Sequence, residues 1–383
     1  MSPRLLVVTN GHGEDVPAAQ LVRGLARHGV TISVYPLVGL GGQYPPGIAL
    51  LDPRRDLPSQ GFGLRRGWVS LREDLSQGLL GFWRAQRRTL RAQRGRVDLV
   101  VASGDVYCLA MARLAGAPTV LVAGPKSEHI APHSALEIWL IRRMASQVFA
   151  RDEATAAALR RRGVRAEFVG TWMIDSLEFS GETFGIPGDR PVITVLPGSK
   201  SPAIDNLLPL LRAATGAVAR AKPVPAVLLS WAPHLPRAPL RGAVEALGGT
   251  WLDPQRFRFD AIEVRVITDH YADALRRATV VVGMAGAAHE QAAGLGKPIV
   301  AFPGAGPQFT PRFLAEQQRL LGDALLATAT WEDAAGALAR LLADPDERQR
   351  RGEAGRERQG QGGGADAIAR YLLGRLGLDR LSA

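Results

Sequence analysis

The chain has 383 residues, 46% of them apolar and 22% charged, which excludes a disordered chain and leaves room for two domains of ordinary size. Its one cysteine, Cys108, excludes an intrachain disulfide framework, fits a reducing compartment, and reads as a small buried hydrophobe. The net charge is +11 and almost wholly arginine, which reads either as GC-rich codon usage or as attraction to anionic lipid or nucleic acid. No secretory pattern opens the sequence and no apolar run reaches the roughly 18 residues of a spanning helix, so a cytoplasmic protein is expected.

In chain order, Arg4 to Thr9 (RLLVVT) reads as a buried strand. The turn Asn10-Gly11-His12-Gly13-Glu14-Asp15 follows. A helix is then expected over about 17–28, with Leu21, Val22 and Leu25 on one face and Gly29 ending it, and a second strand over 30–36. This opening is Rossmann-like but lacks Gly-x-Gly-x-x-Gly, so dinucleotide binding is poorly supported. Its turn instead carries His12, Glu14 and Asp15, three groups able to exchange protons or hydrogen bonds. The competing reading makes Asp15 the helix cap, with Pro17 near the first turn.

Residues 39–63, rich in glycine and proline, read as loop. From Leu64 to Trp83, apolar residues recur at helical spacing, and six arginines follow between Arg84 and Arg96 with no acid among them. The stretch 64–96 suits either a helix lying on an anionic membrane surface or one packed on a sheet with a solvated basic end. Val97 to Ala102 is a further strand. Asp105 lies just beyond its carboxyl end, where parallel-sheet enzymes place their chemistry. A helix over 107–115, a strand over 118–123 and a polar loop with Lys126 and His129 come next, the loop residues suiting acceptor contact or plain solvent exposure. Strand 147–150 and helix 153–162 complete this half, and 180–191 reads as a linker.

A second β/α series starts at Pro191. Its first strand ends in Pro197-Gly198-Ser199-Lys200, whose N–H, hydroxyl and ammonium groups suit a diphosphate. A helix over 207–221 and a strand over 226–230 follow, then a proline-rich loop over 231–239 and a strand over 264–267. The stretch around which the chain is organised is 278–311. Thr279 to Val282 is a buried strand, and the chain turns through Gly283 and Gly286 into a helix over 287–293, with Gly294 at its C-terminal cap and a second strand over 299–302. The glycines admit a ligand to the backbone, and the helix start at Ala287 offers N–H groups to a phosphate. Glu290 and Gln291 fall near the same mouth, where a carboxylate can accept from a ribose diol or, as the plainer reading, merely complement the helix dipole as an exposed acid. Helices are expected over 313–321, 331–343 and 365–376, with a polar, glycine-rich, exposed stretch over 347–364.

Gly-x-Ala-Gly-x-x-x-Glu-Gln from Gly283 to Gln291, with Gly-Lys-Pro at 296–298 and Pro-Gly-x-Gly-Pro-Gln-Phe at 303–309, resembles the donor site of GT-B glycosyltransferases. It looks most like lipid A disaccharide synthase and the undecaprenyl-muramyl-peptide N-acetylglucosaminyltransferase. Leu-Pro-Gly-Ser at 196–199, with Lys200 for the family's Arg, and Gly13-Glu14-Asp15, a shortened relative of that family's first turn, support the likeness. Val169-Gly170-Thr171-Trp172 keeps only the frame of the family's interdomain crossing.

The resemblance implies an α/β GT-B fold, two Rossmann-like β/α/β domains facing a central cleft. The expected division is an acceptor-binding domain over 1–179, a nucleotide-sugar domain over 180–364, and a last helix over 365–383 packing back on the first. It implies Glu290 for the ribose of a UDP-sugar and Gln308 near the sugar, with Gly198, Ser199, Lys200, Gly286, Ala287 and Gln291 completing the donor site. Asp105, or Glu14, Asp15 and His12, would supply the catalytic groups of an inverting transfer to a lipid-linked or hydrophobic acceptor. The sugar would be N-acetylglucosamine, and the protein would dock peripherally on the inner face of the cell membrane. No Asp-x-Asp motif or His/Cys cluster appears, so neither a metal nor another cofactor is indicated. A UDP-N-acetylglucosamine 2-epimerase-like isomerase and a non-catalytic basic nucleotide-binding protein are the alternatives, and nucleic acid is not expected as a partner.

Overall fold

The computed structural model describes residues 2–55, 79–124, 126–199, 203–304 and 309–378. The chain divides into two compact units, Met1–Ser176 with Gly362–Ala383, and Leu177–Gln361. Among the described residues no helix is long and apolar enough to cross a membrane.

The first unit is built on seven strands, β1 Arg4–Thr9, β2 Thr31–Pro36, β3 Ala49–Leu50, β4 Leu99–Gly104, β5 Thr119–Ala123, β6 Gln147–Phe149 and β7 Ala166–Glu167. Their order is β3-β2-β1-β4-β5-β6-β7 and every pair is parallel. Runs such as Leu-Leu-Val-Val and Val-Leu-Val have no polar alternation because both faces of the sheet are covered. Leu90, Leu109 and Ile141, from the helices Leu79–Arg91, Val106–Ala112 and Ala135–Met144, pack on one face. Leu21 and Leu25 of the helix His12–Ala26, with Ile368 and Leu372 of the helix Gly364–Arg375, pack on the other. Asp175 fixes the start of that last helix by accepting from the Gly363 and Ala365 N–H groups at 2.5 and 2.7 Å.

The second unit has eight strands, β8 Val192–Leu196, β9 Ala226–Ser230, β10 Thr250–Asp253, β11 Arg256–Phe259, β12 Ile262–Ile267, β13 Val280–Gly283, β14 Ile299–Ala301 and β15 Leu325–Ala327. The order is β10-β11-β12-β9-β8-β13-β14-β15, parallel except for the antiparallel β10-β11-β12 ribbon. In both sheets the chain leaves two adjacent central strands in opposite directions, building outward strand by strand except beyond β9, where it passes to the edge at β10 and returns through β11 to β12. These pairs are β1/β4 and β8/β13, and the crevice at their carboxyl ends is where an open α/β sheet takes its ligand.

Several expectations are corrected. The first helix begins at His12, not near 17, and its N-cap is Gly11 with no side-chain cap, so Asp15 is not the cap. Within 64–96, residues 64–78 lie outside the described set, and the helix does not stop at Trp83 but runs to Arg91. Gln86 is buried on it and donates to the Leu37 carbonyl, while Arg84, Arg88 and Arg91 face outward. The proline-rich loop gives way to a helix at Arg237–Ala246. Gly294 is the last helical residue rather than the cap, and the left-handed residue that ends the turn is Gly296, at φ 72°. The stretch 347–364 is not an exposed coil: Pro345–Gln359 is a helix that buries Gly352, Gly355 and Gln359.

Candidate functional site

In the second unit the β8 and β13 turns lie side by side, because Leu196 and Gly283 are partners in the register. The Met284 N–H donates to the Leu196 carbonyl at 2.9 Å. Glycine is required where the turns touch. Gly198 holds φ 104°, and a Cβ on it would stand 3.2 Å from the Met284 carbonyl oxygen. A Cβ on Gly283 would stand 2.8 Å from both the Leu196 carbonyl oxygen and His289 Nε2. Two side chains absent from the sequence reading brace the β8 turn. Asn206 Nδ2 donates to the Pro197 carbonyl at 2.9 Å, and His234 Nε2 donates to the Ser199 carbonyl at 2.7 Å.

The helix Ala287–Gly294 opens at this mouth with Gly286 as an uncapped N-cap. Gly286 supplies no side-chain acceptor to the helix's first N–H groups, the arrangement that takes a phosphate. Glu290 is 6% exposed, which overturns the reading of it as an exposed first-turn acid. Gln291 is half-buried, and its Oε1 accepts from the Tyr271 hydroxyl at 2.9 Å. His289 is fully buried, packs edge-on to Phe309 at 5.7 Å, and burial pushes its imidazole down to about 3, so it is neutral. Lys200 and Gln308 lie outside the described residues.

In the first unit the β1 and β4 ends carry the titratable groups. The Asn10 N–H donates to the Ser103 carbonyl at 3.1 Å, and a Cβ on Gly104 would press on the Asn10 side chain at 3.0 Å. Asp105 follows at once and caps the helix Val106–Ala112, its carboxylate accepting from the Cys108 N–H at 3.0 Å. Glu14 stands on the first helical turn. Its carboxyl is pushed up to about 7 by burial and, against the pull of a backbone hydrogen bond, by the charges of Asp105 and Asp15. The structure therefore brings Glu14, Asp15 and Asp105 within electrostatic reach. Asp15 itself is 1% exposed and accepts from the Thr9 hydroxyl at 2.6 Å and the Tyr44 hydroxyl at 2.9 Å, the bonding of a structural carboxylate. The side chain of His12 is outside what the structure describes. Cys108 is fully buried, its thiol toward the Val8 carbonyl at 3.3 Å.

A pocket beside Asp105 joins Lys126, a loop candidate from the sequence, to His133 and Glu137, which sequence reasoning missed. Lys126 Nζ grips both Glu137 oxygens at 2.6 and 2.7 Å, and His133 completes the wall over Leu121, Ala123 and Ile141. Burial raises Glu137, but Lys126 and Ser134 outweigh it and hold the carboxylate below its ordinary value. Burial, then Lys126, lowers His133. The signal for Glu137 was present as Ser134-x-x-Glu137, a capping box ahead of an apolar run, and both of its hydrogen bonds form. Among the described residues no group of three His, Cys, Asp or Glu side chains is placed to hold a metal ion.

No protein-family model and no curated protein matches the sequence. Solved structures match along almost the whole chain. MnaA of S. aureus in complex with UDP superposes with a TM-score of 0.60 at 15% identity, over 98% of this chain and 97% of that one. The UDP-GlcNAc 2-epimerase of Neisseria meningitidis bound to UDP-GlcNAc gives 0.55 at 14% identity, over 97% and 100%. The glycosyltransferase MurG of Acinetobacter baumannii gives 0.59 at 16% identity, over 97% and 99%. None of the three is a lipid A disaccharide synthase. What they share with the chain is architecture: it has the GT-B fold, two Rossmann-like α/β units in one polypeptide.

Proposed function

We propose that the chain is an enzyme acting on a UDP-sugar, UDP-N-acetylglucosamine, and that it inverts the sugar at C2. The observation that carries the nucleotide reading is the second unit's switch point. Two glycine turns and an uncapped helix start meet there, with the buried carboxylate Glu290 one turn into the helix. The turns suit a diphosphate, and Glu290 suits the ribose hydroxyls. The likeness to an epimerase bound to UDP-GlcNAc and to a structure bound to UDP supports the same ligand.

No carbonyl activates the proton at C2, so its loss is coupled to cleavage of the C1–O bond: the C–H pair forms a C1=C2 double bond, UDP departs, and UDP and a proton then add back with the proton on the opposite face of C2. Inversion therefore needs groups that both take and give a proton near neutral pH. Glu14, with its carboxyl at about 7, is half protonated there and fits either task. Asp105 is its partner carboxylate. The second reading is glycosyl transfer to a hydroxyl-bearing acceptor, which the MurG likeness favours. In that reaction Asp105 or Glu14 takes the acceptor proton, and the glycine turns stabilise the departing UDP.

One experiment separates them. The full chain is incubated with UDP-N-acetylglucosamine in D2O with no acceptor, beside Glu14→Gln and Glu290→Ala, and followed by proton NMR. A C2 epimer carrying deuterium, lost in Glu14→Gln, supports the isomerase. UDP release only after an acceptor alcohol is added supports the transferase. Failure to bind UDP, or UDP binding unchanged in Glu290→Ala, sinks both.

A further inference from the structure

The other end of the second sheet holds four cations with, among the described residues, a carboxylate paired to one of them. β13 and β14 are parallel with Val281 beside Ile299, so Lys297 stands level with Thr279, directly after the helix Tyr271–Arg277 and its terminal Arg276 and Arg277. Arg356 arrives from the helix Pro345–Gln359. Two glycines let that helix press on the end of the Glu290 helix: a Cβ on Gly355 would stand 2.5 Å from the Ala293 carbonyl oxygen, and one on Gly352 would collide with that of Gly296. The same approach lays the Arg356 guanidinium flat over Gly296, the residue before Lys297.

Of these four cations only Arg276 has a carboxylate partner among the described residues, Asp273 at 2.8 Å. Arg277 is committed to the backbone carbonyls of Pro187 and Arg190. Helix C-termini offset part of the charge. Lys297 nonetheless sits at about 8, lowered by burial and then by Arg356, Arg277 and Arg276. Lys297 is half-buried, and the Arg356 guanidinium lies over Gly296, the residue before it, so a point charge and a fork of donors, together suited to a phosphate's oxygens, belong to this one corner of the unit.

We propose that Lys297 and Arg356 bind a multiply charged inorganic phosphate, ortho- or pyrophosphate, at a site distinct from the glycine turns. The four residues of β13 separate the two places by roughly 13 Å at about 3.3 Å per residue. The proposal does not depend on the reaction assigned above.

The test is calorimetric titration of the full chain at pH 8 with orthophosphate and, separately, pyrophosphate, in two buffers of different ionisation heat. Lys297 is about half protonated at that pH, so binding should draw about half a proton from the buffer into the wild-type chain. Arg356→Ala should weaken binding tenfold or more. Lys297→Arg should keep the affinity and lose the proton uptake, since arginine stays charged. Tighter binding of pyrophosphate than of orthophosphate identifies the diphosphate as the better fit, and the reverse order the single phosphate. Affinity unchanged in Arg356→Ala, proton uptake unchanged in Lys297→Arg, or no wild-type binding at millimolar concentration each overturns the proposal.

Discussion

Replacing Glu14 by Gln should make the protein more stable while removing its acid–base group. The carboxyl is ordinarily near 4.5 and sits at about 7 in the fold. The sign follows from linkage. Below about 4.5 the group is protonated both folded and unfolded and costs nothing. Between about 4.5 and 7 the unfolded chain ionises first, so stability falls as pH rises, and above about 7 the loss is complete. At roughly 1.4 kcal/mol per pH unit the gap corresponds to about 3 kcal/mol. Partial solvent access to Glu14 reduces this to about 1–3 kcal/mol. The amide keeps the shape and has no charge to bury. Urea denaturation of wild type and Glu14→Gln at pH 5 and pH 8 reads the effect, and subtracting the two cancels the titrating groups not coupled to Glu14. The variant should gain little at pH 5 and about 1–3 kcal/mol at pH 8. An identical pH dependence in both proteins would refute the reasoning, because Glu14 would then ionise as freely folded as unfolded.

Three further outcomes are expected. His289 is neutral and pushed down to about 3, so it opposes folding increasingly as pH falls from 6.5; His289→Leu should flatten the loss of stability between pH 6.5 and 4 in acid denaturation. Tyr44→Phe removes a donor from the buried Asp15 carboxylate and should cost about 1–3 kcal/mol in the same urea assay. Gly355→Ala should cost about 1–3 kcal/mol by forcing a Cβ onto the Ala293 carbonyl, whereas Gly336→Ala, exposed mid-helix with nothing within 4 Å, should gain about 0.5–1 kcal/mol, both read as thermal midpoints.

The central strands were legible because burial on both faces leaves an unbroken apolar run, as at Leu5 to Val8 and Val280 to Val282. The helix Pro345–Gln359 was not, and the reason is physical. It has no apolar stripe, and its contact is made by Gly352 and Gly355, residues that in sequence argue for coil. The β10–β11 hairpin left a trace in the alternation Arg256-Phe257-Arg258-Phe259, whose phenylalanines are buried. At the candidate site the glycine turns could be read, because a close backbone approach leaves glycine as its mark. The burial of Glu290 could not, nor the gripping of Glu137 by Lys126, since both depend on segments far apart in sequence meeting in space. Asp15 shows the limit: the sequence offered it as a cap or an acid, and only Tyr44 and Thr9 reveal it as a buried anchor.

The last helix belongs to the first unit. Ile368 and Leu372 complete a core begun by Leu5 and Val7, and Asp175 holds the helix by its first N–H groups. On the ribosome this reverses the usual order of events, in which the N-terminal domain folds first. Every residue of the second unit has been synthesised before the first can close. Until the final stretch emerges, the apolar face awaiting Ile368 and Leu372 stays open to chaperones and to neighbouring nascent chains. A premature stop near residue 360 would leave the second unit's strands complete and the first unit permanently unsealed.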